Sequence, residues 1–264
     1  GTFNIKREFF MKVSIVTVSF NSQNTISDTI NSVLHQTYPD IEYIIVDGKS
    51  SDNTVNIIES LKDKFNGRLR FISEPDNGIY DAMNKGIKMA TGEIVGLLNS
   101  DDIFASNTVI EKIADAFKTS NAQCVYGNLV IVDKNDINRV LRESNCGQYK
   151  QGSFRRGWHP PHPTFYTYKK NYDKYGYYRT GFKITADFEC MMRLLEENGL
   201  PSKYIDELIV KQRVGGVSTT FFGHIRGNIE TLIAFKANNK GIPLLCLPGK
   251  IFPKIINSLK RKLK

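Results

Sequence analysis

The chain has 264 residues, 41% of them hydrophobic, which suits one large α/β domain or a domain with an appendage and is the composition of a soluble globular protein with a real core. No apolar run approaches the roughly 20 residues of a membrane-spanning helix, and the four cysteines (Cys124, Cys146, Cys190, Cys246) show no CxxC spacing, which argues against zinc or redox motifs and for reduced thiols in a cytoplasmic setting. The net charge of +9 is uneven: −4 over residues 1–147, +7 over 148–186, −2 over 187–230 and +8 over 231–264, so an acidic first half precedes two basic segments suited to anions such as phosphates, nucleic acid or an acidic membrane face.

Residues 1–10 read as an extension, native or a tag remnant, ahead of Met11. Val13–Phe20 contains Ser14, Thr17 and Ser19 and lacks a small-residue cleavage pattern, so it reads as a strand and not as a signal-peptide core. The pattern then predicts a helix over Asn24–Gln36, a strand over Ile41–Asp47, a helix over Asp52–Phe65, a strand over Leu69–Ser73, a helix over Ile79–Thr91, a strand over Glu93–Leu98 and a helix over Ser106–Lys118 capped by Ser106. Alternation of this kind implies parallel βαβ units, whose ligands bind beyond the carboxyl ends of the strands. Gln123–Val132 reads as a further strand, Ser144–Pro163 as an ordered loop beside a pocket, Ile184–Asn198 as a helix, Tyr204–Val214 as a strand and Phe221–Asn239 as a last helix.

Three strand ends carry candidate chemistry. Phe20 and Asp47 fall at neighbouring tips, where an aromatic face can stack on a pyrimidine and a carboxylate can accept a ring N–H. Asn99-Ser100-Asp101-Asp102 closes an aliphatic strand with paired acids, hard oxygen donors for Mg²⁺ or Mn²⁺ bridging to a diphosphate, although the same residues also serve as a turn and helix cap. There is no GxGxxG after the first strand and no GxxxxGK[ST], which excludes a dinucleotide fold and a P-loop.

Taken together, VSIVTVSFN, IIVDGKSSDNT, GIYDAMNKGIKMATGEIVGLLNSDD and HPTFYTYKKNYDKYGYYRTGFKITADFECMMRL resemble the family-two inverting nucleotide-sugar glycosyltransferases of the A-type fold, over about Met11 to Gly216. The resemblance implies an α/β architecture with a mostly parallel Rossmann-like sheet flanked by helices and a glycosyltransferase domain over 11–218 (nucleotide-binding half 11–102, acceptor and catalytic half 103–218), and the residue pattern beyond it reads as a helical, basic appendage over 219–264. It also implies transfer of a sugar, usually from uridine diphosphate, to an acceptor hydroxyl with a divalent metal and one carboxylate base.

By position in the family motifs, the resemblance marks Ser19, Phe20, Asn21, Asp47, Asp76, Gly78, Asp81, Asn84, Asn99 and Ser100 as nucleotide-binding, Asp101, Asp102 and His162 as metal-binding, and Asp187 as the catalytic base. Two departures stand out: Asn99 replaces the first Asp of the family's Asp-x-Asp motif, and a single acid, Asp47, stands where the family often has two. Glu189 is the alternative base, His159 the alternative to His162, and Arg155, Arg156 and the turn Gly215-Gly216-Val217-Ser218 are further phosphate candidates.

The C-terminal KIFPKIINSLKRKLK sets Ile251, Phe252, Ile255, Ile256, Leu259 and Leu263 against six basic residues, a candidate amphipathic contact with an anionic membrane surface. The expected partners are therefore a nucleotide-sugar donor, a glycan or lipid-linked glycan acceptor in O-antigen, capsule or exopolysaccharide assembly, and the inner face of the cell membrane. The alternatives are a basic nucleic-acid-binding protein, against which the acidic first half argues, and a two-carboxylate glycoside hydrolase.

Overall fold

The computed structural model describes residues 10–215 and 221–238. Strands β1 (Val13–Ser19) and β2 (Ile41–Asp47) are buried along their whole length, the consequence of helices covering both faces of a parallel sheet. Helix α1 (Ile26–Leu34) follows β1; α2 (Thr54–Lys62) follows β2 and tightens into a 3₁₀ turn at Asp63–Phe65, ended by Asn66 in the left-handed region. Next come β3 (Leu69–Ser73), α3 (Ile79–Met89), β4 (Ile94–Leu97), the short β5 (Ile103–Phe104) and α4 (Val109–Lys118). The second half supplies β6 (Cys124–Val132), β7 (Val140–Ser144), β8 (Tyr166–Tyr168), α5 (Lys169–Tyr175), α6 (Ala186–Met192), β9 (Ser202–Arg213) and α7 (Phe221–Ala237).

Among the described residues the sheet has nine strands in the order β3-β2-β1-β4-β8-β6-β9-β5, with β7 paired to β6. Strands β1 to β4 are mutually parallel, whereas β8 enters antiparallel between β4 and β6, so the sheet is mixed where the sequence suggested mainly parallel pairing. Gly96 makes that insertion possible. It lies opposite Tyr166 in the register, and a Cβ at Gly96 would lie 1.9 Å from the Tyr166 ring.

Other boundaries moved for local reasons. Ser106 does not cap α4: the helix begins after Thr108, and Ser106 Oγ meets the Thr108 hydroxyl at 3.3 Å. The helix expected to Asn198 is α-helical only to Met192 and widens into a π turn over Arg193–Glu197. Val140–Ser144, unassigned in the sequence reading, pairs with β6 as a hairpin.

Two apolar layers flank the sheet, one built on α1, α2 and α4, the other on α3, α6 and α7. Helix α7 belongs to the second layer through Ala234 and Phe235, which pack with Phe188 of α6, so the segment read as the start of an appendage is joined to the core. Residues 1–9, the turn residues 216–220 and the basic segment after Asn238 lie outside the described residues.

Candidate active site

The β1 and β2 tips pair Ser19 with Asp47, and the chain leaves both strands into loops that interlock. Asn21 adopts a positive φ of 49°; its N–H donates to Ser50 Oγ (2.8 Å) and its side-chain oxygen accepts the Ser51 N–H (2.9 Å). Asp47 is fully buried. Its carboxylate accepts from Ser19 Oγ (3.0 Å), the Ser50 N–H (2.8 Å), Ser50 Oγ (2.5 Å) and Ser73 Oγ (2.7 Å). Those four bonds join the tips of β1, β2 and β3, so in this structure Asp47 serves the loops, and a base N–H would have to displace one of them.

A different carboxylate reaches the open space. Gly48 lacks a side chain where one would collide: a Cβ there would sit 2.5 Å from Asp76 Oδ2 and 3.4 Å from Phe20 Cδ2. Phe20 and Asp76 thus converge over Gly48, and Phe20 is 64% exposed, a large aromatic face with no packing duty. Asp76 is oriented by the Gly78 N–H bonded to Oδ1 (2.8 Å), and Gly78 itself takes φ +113°, a conformation that favours glycine. In the sequence Gly48 is only the glycine that follows Asp47; that a side chain there would meet Asp76 and Phe20 is visible only in the fold.

Around this pocket several of the marked residues are engaged internally. Asp81 accepts the Asn77 N–H at 3.0 Å and lies 3.8 Å from Lys85. Asn84 clamps the Tyr178 backbone through both ends of its amide (2.8 and 3.0 Å). Ser100 Oγ meets Ser22 Oγ at 2.8 Å and ties the acidic motif to the loop after β1.

Asn99 donates to Asp102 Oδ2 (3.1 Å), so its amide orients an acid. Asp102 is fully buried, and its Oδ1 is one of two buried side-chain oxygens without a hydrogen-bond partner among the described residues, Tyr166 Oη being the other. Burial raises the Asp101 carboxyl above the usual range, opposed in part by Arg213, whose guanidinium donates to the Asp101 carbonyl at 2.7 Å. Burial, and then the adjacent Asp101 charge, push Asp102 well above that range. Two crowded carboxyls with an orphaned oxygen fit a divalent cation, which would offset both charges with hard oxygen donors. Asp101, the less buried of the two, would hold it, with Asp102 beneath.

His162 does not join that group. Its Nε2 lies 3.0 Å from Tyr178 Oη and its ring meets the Tyr178 ring edge-on, and among the described residues no three His, Cys, Asp or Glu side chains cluster as metal ligands. Burial lowers its pKa, partly opposed by Asp187, which places it on the base side of the cleft. His159 packs edge-on against Phe188, and Arg155 and Arg156 lie exposed on the turn Phe154–Arg156.

Asp187 sits in the first turn of α6, half-buried, with Oδ1 accepting from Tyr80 Oη at 3.2 Å. Tyr80, in the first turn of α3, lies two residues after Gly78, so the base candidate contacts the helix that begins just after the Asp76–Gly78 turn. Lys183 Nζ lies 3.5 Å from the Asn77 carbonyl and spans the same gap. Glu189 is removed as the alternative base: it is fully buried and bound to Arg193 through two bonds of 3.0 Å, to Arg179 at 3.3 Å and to Asn238 at 3.1 Å. Tyr80 and Gly48, which lie inside GIYDAMNKGIKMATGEIVGLLNSDD and IIVDGKSSDNT, and Arg213 and Glu230, which lie outside the quoted motifs, were not singled out by sequence reasoning.

The profile described as glycosyl transferase family 2 matches residues 14–189. A PGL/p-HBAD biosynthesis glycosyltransferase of Mycobacterium bovis is 26% identical over 92% of this chain and 92% of its own length. The Escherichia coli protein named UDP-Glc:alpha-D-GlcNAc-diphosphoundecaprenol beta-1,3-glucosyltransferase WfgD is 36% identical over 51% of this chain and 56% of its own, and an uncharacterized glycosyltransferase of Nostoc is 36% identical with only 39% of its length spanned. Among solved structures, S. aureus TarS 1–349 in complex with UDP-GlcNAc superposes with a TM-score of 0.66 at 18% identity (85% of this chain, 66% of that one), and the Pyrobaculum calidifontis mannosyltransferase with GDP-Man and Mn²⁺ superposes at 0.65 and 16% (92% and 74%). Those two likenesses establish the A-type fold.

Proposed function

This chain belongs to glycosyl transferase family 2 and is a glycosyltransferase, and from that premise we propose that it inverts configuration while moving a hexose from a uridine-diphosphate sugar to a hydroxyl of a lipid-linked glycan in surface-polysaccharide assembly. The observation that carries the donor half is the convergence of the exposed Phe20 ring and the Asp76 carboxylate over Gly48: the ring stacks on the base and the carboxylate accepts its N–H. The E. coli relative, named for a UDP-glucose donor and a diphosphoundecaprenol-linked acceptor, supports the uridine and lipid assignments.

Ser19, Asn21 and Asp47 hold the pocket's loops, Gly78 and Asp81 set the turn that aims Asp76, and Asn84 fixes Tyr178 against α3. When bound at Asp101 and Asp102, Mg²⁺ or Mn²⁺ supplies positive charge beside the departing diphosphate. Asp187 acts as general base. Tyr80 holds Oδ1, while Oδ2 accepts no hydrogen bond from a described residue and is free to take the acceptor's proton as that oxygen attacks the anomeric carbon from the side opposite the phosphate. Glu189, locked in its ion pairs, cannot serve as the second acid of a two-carboxylate hydrolase. Family membership in sugar transfer likewise leaves the nucleic-acid-binding alternative without a supporting observation.

The sequence after Asn238 supports the membrane half of the proposal: its basic and aliphatic residues suit an anionic cytoplasmic leaflet, where a lipid-linked acceptor would be presented. No helix among the described residues is long and apolar enough to cross a membrane. The deciding experiment incubates UDP-glucose, UDP-N-acetylglucosamine and GDP-mannose with the protein and measures nucleotide release to water. A uridine sugar should be turned over only with Mn²⁺ or Mg²⁺, and Asp187→Asn should retain less than about a tenth of the rate. Preference for GDP-mannose would overturn the uridine assignment, full turnover in chelator the metal, and an active Asp187→Asn the base.

A further inference from the structure

Helix α7 lies beyond the residues matched by the family profile, yet it reaches the segment that carries Asp187. Glu230 is 6% exposed, and its carboxylate accepts the backbone N–H groups of Lys183 (2.9 Å), Ile184 (2.8 Å) and Thr185 (3.0 Å), with the Thr185 hydroxyl at 3.3 Å. Arg226, one turn earlier on α7, closes on the same carboxylate at 2.9 Å. N–H groups at a helix start have no partner within the helix and must be met from outside. Thr185, the residue at the cap position of α6, makes no side-chain capping bond, and its own N–H, with those of the two residues leading into the helix, is met by a side chain 45 residues further along the chain.

The opposite side of the segment is held by Tyr80, whose single hydroxyl proton is shared between the Ile184 carbonyl at 2.7 Å and Asp187 Oδ1 at 3.2 Å. Lys183 to Asp187 is therefore pinned between α3, which borders the Phe20–Asp76 pocket, and α7. A carboxylate bound to three successive amides fixes that stretch in a way a single contact does not, and proton transfer depends steeply on the base's distance from the acceptor oxygen.

We propose that Glu230 is a positioning residue, fixing the Lys183–Thr185 backbone and through it the height of the Asp187 carboxylate over the donor pocket; this rests on Asp187 being the base. Glu230→Ala and Glu230→Gln, each in the full chain, are compared by amide hydrogen exchange and by kcat and KM for hydrolysis of the uridine sugar. Alanine should speed exchange at 183–185 by about tenfold or more and lower kcat roughly 10- to 100-fold while donor KM stays within about twofold. Glutamine keeps one acceptor oxygen and should restore part of both. Wild-type kcat in Glu230→Ala, or a kcat loss without faster local exchange, overturns the proposal. If the alanine variant does not fold, glutamine decides alone: a kcat loss of a few fold with intermediate exchange supports the role, and wild-type values for both overturn it. Full turnover by Asp187→Asn would overturn the base assignment instead, and faster exchange in Glu230→Ala would then still stand as a structural finding.

Discussion

Single side chains in this cleft are tuned by what surrounds them, and His162 shows the consequence for stability. Burial lowers its pKa below the ordinary 6.5, so the unfolded chain takes up a proton at a pH where the folded chain does not. The unfolded state then binds more protons below 6.5, and stability is lost as pH falls through the folded-state value. Glu42 and Glu230 act in a lower window. Burial alone would raise both, but the bonds from Ser14 and Thr91 to Glu42, and from Lys183, Ile184 and Arg226 to Glu230, outweigh it and hold each below 4.5. As pH falls below about 7, His162 should lower Tm while the buried Asp101 and Asp102, whose raised carboxyls take up protons in the folded state, oppose it, and His162→Gln, which keeps a polar group beside Tyr178, should remove the destabilising part. An unchanged slope in thermal melts of the variant would assign it elsewhere.

At the scale of elements, glycines decide where strands and loops approach. Gly96 admits the Tyr166 ring and so allows β8 to enter the sheet; Gly48 admits Asp76 and so shapes the donor pocket. The second is the safer to test, because the colliding atom is the end of a side chain able to swing aside. Gly48→Ala should displace the Asp76 carboxylate and weaken UDP binding by about 1 kcal/mol, the worth of an ordinary hydrogen bond, while Tm changes little. Calorimetry giving wild-type affinity would remove Asp76 from base recognition. Asp47→Ala should behave differently: with four bonds among three strand tips lost, the melting temperature should suffer along with affinity.

Over the whole molecule, the acidic first half carries the residues proposed to bind the donor, and the basic residues concentrate in the crossing segment 148–186 and after Glu230. Each Lys or Arg near an anionic bilayer contributes about 1 kcal/mol before screening, so a few engaged residues with the adjacent isoleucines and leucines would hold the enzyme at the surface. Deleting residues 249–264 should abolish co-sedimentation with phosphatidylserine-containing vesicles and leave metal-dependent hydrolysis of the donor intact. Vesicle binding that survives the deletion, or loss of the fold, would assign the segment to the core.

Strand and helix alternation up to Lys118, the tips bearing Phe20 and Asp47 and the Asn99–Asp102 motif were legible in the sequence, because aliphatic runs, periodicity and motif spacing are local properties, whereas Asp187 was singled out only through the family resemblance. Tertiary structure decided what the sequence left ambiguous. A three-residue strand such as β8 carries too little periodicity to read, and its place depends on Gly96, seventy residues earlier in the chain. Asp47 and Asp76 are both acids near strand ends, and only the fold shows that serines occupy the Asp47 carboxylate while Asp76 lies beside Phe20 and Gly48. Tyr80 and Asp187 are 107 residues apart, and Glu230 and Lys183 are 47 apart. Their contacts are set by how α3, α6 and α7 pack on one face of the sheet, and no spacing along the chain encodes that packing.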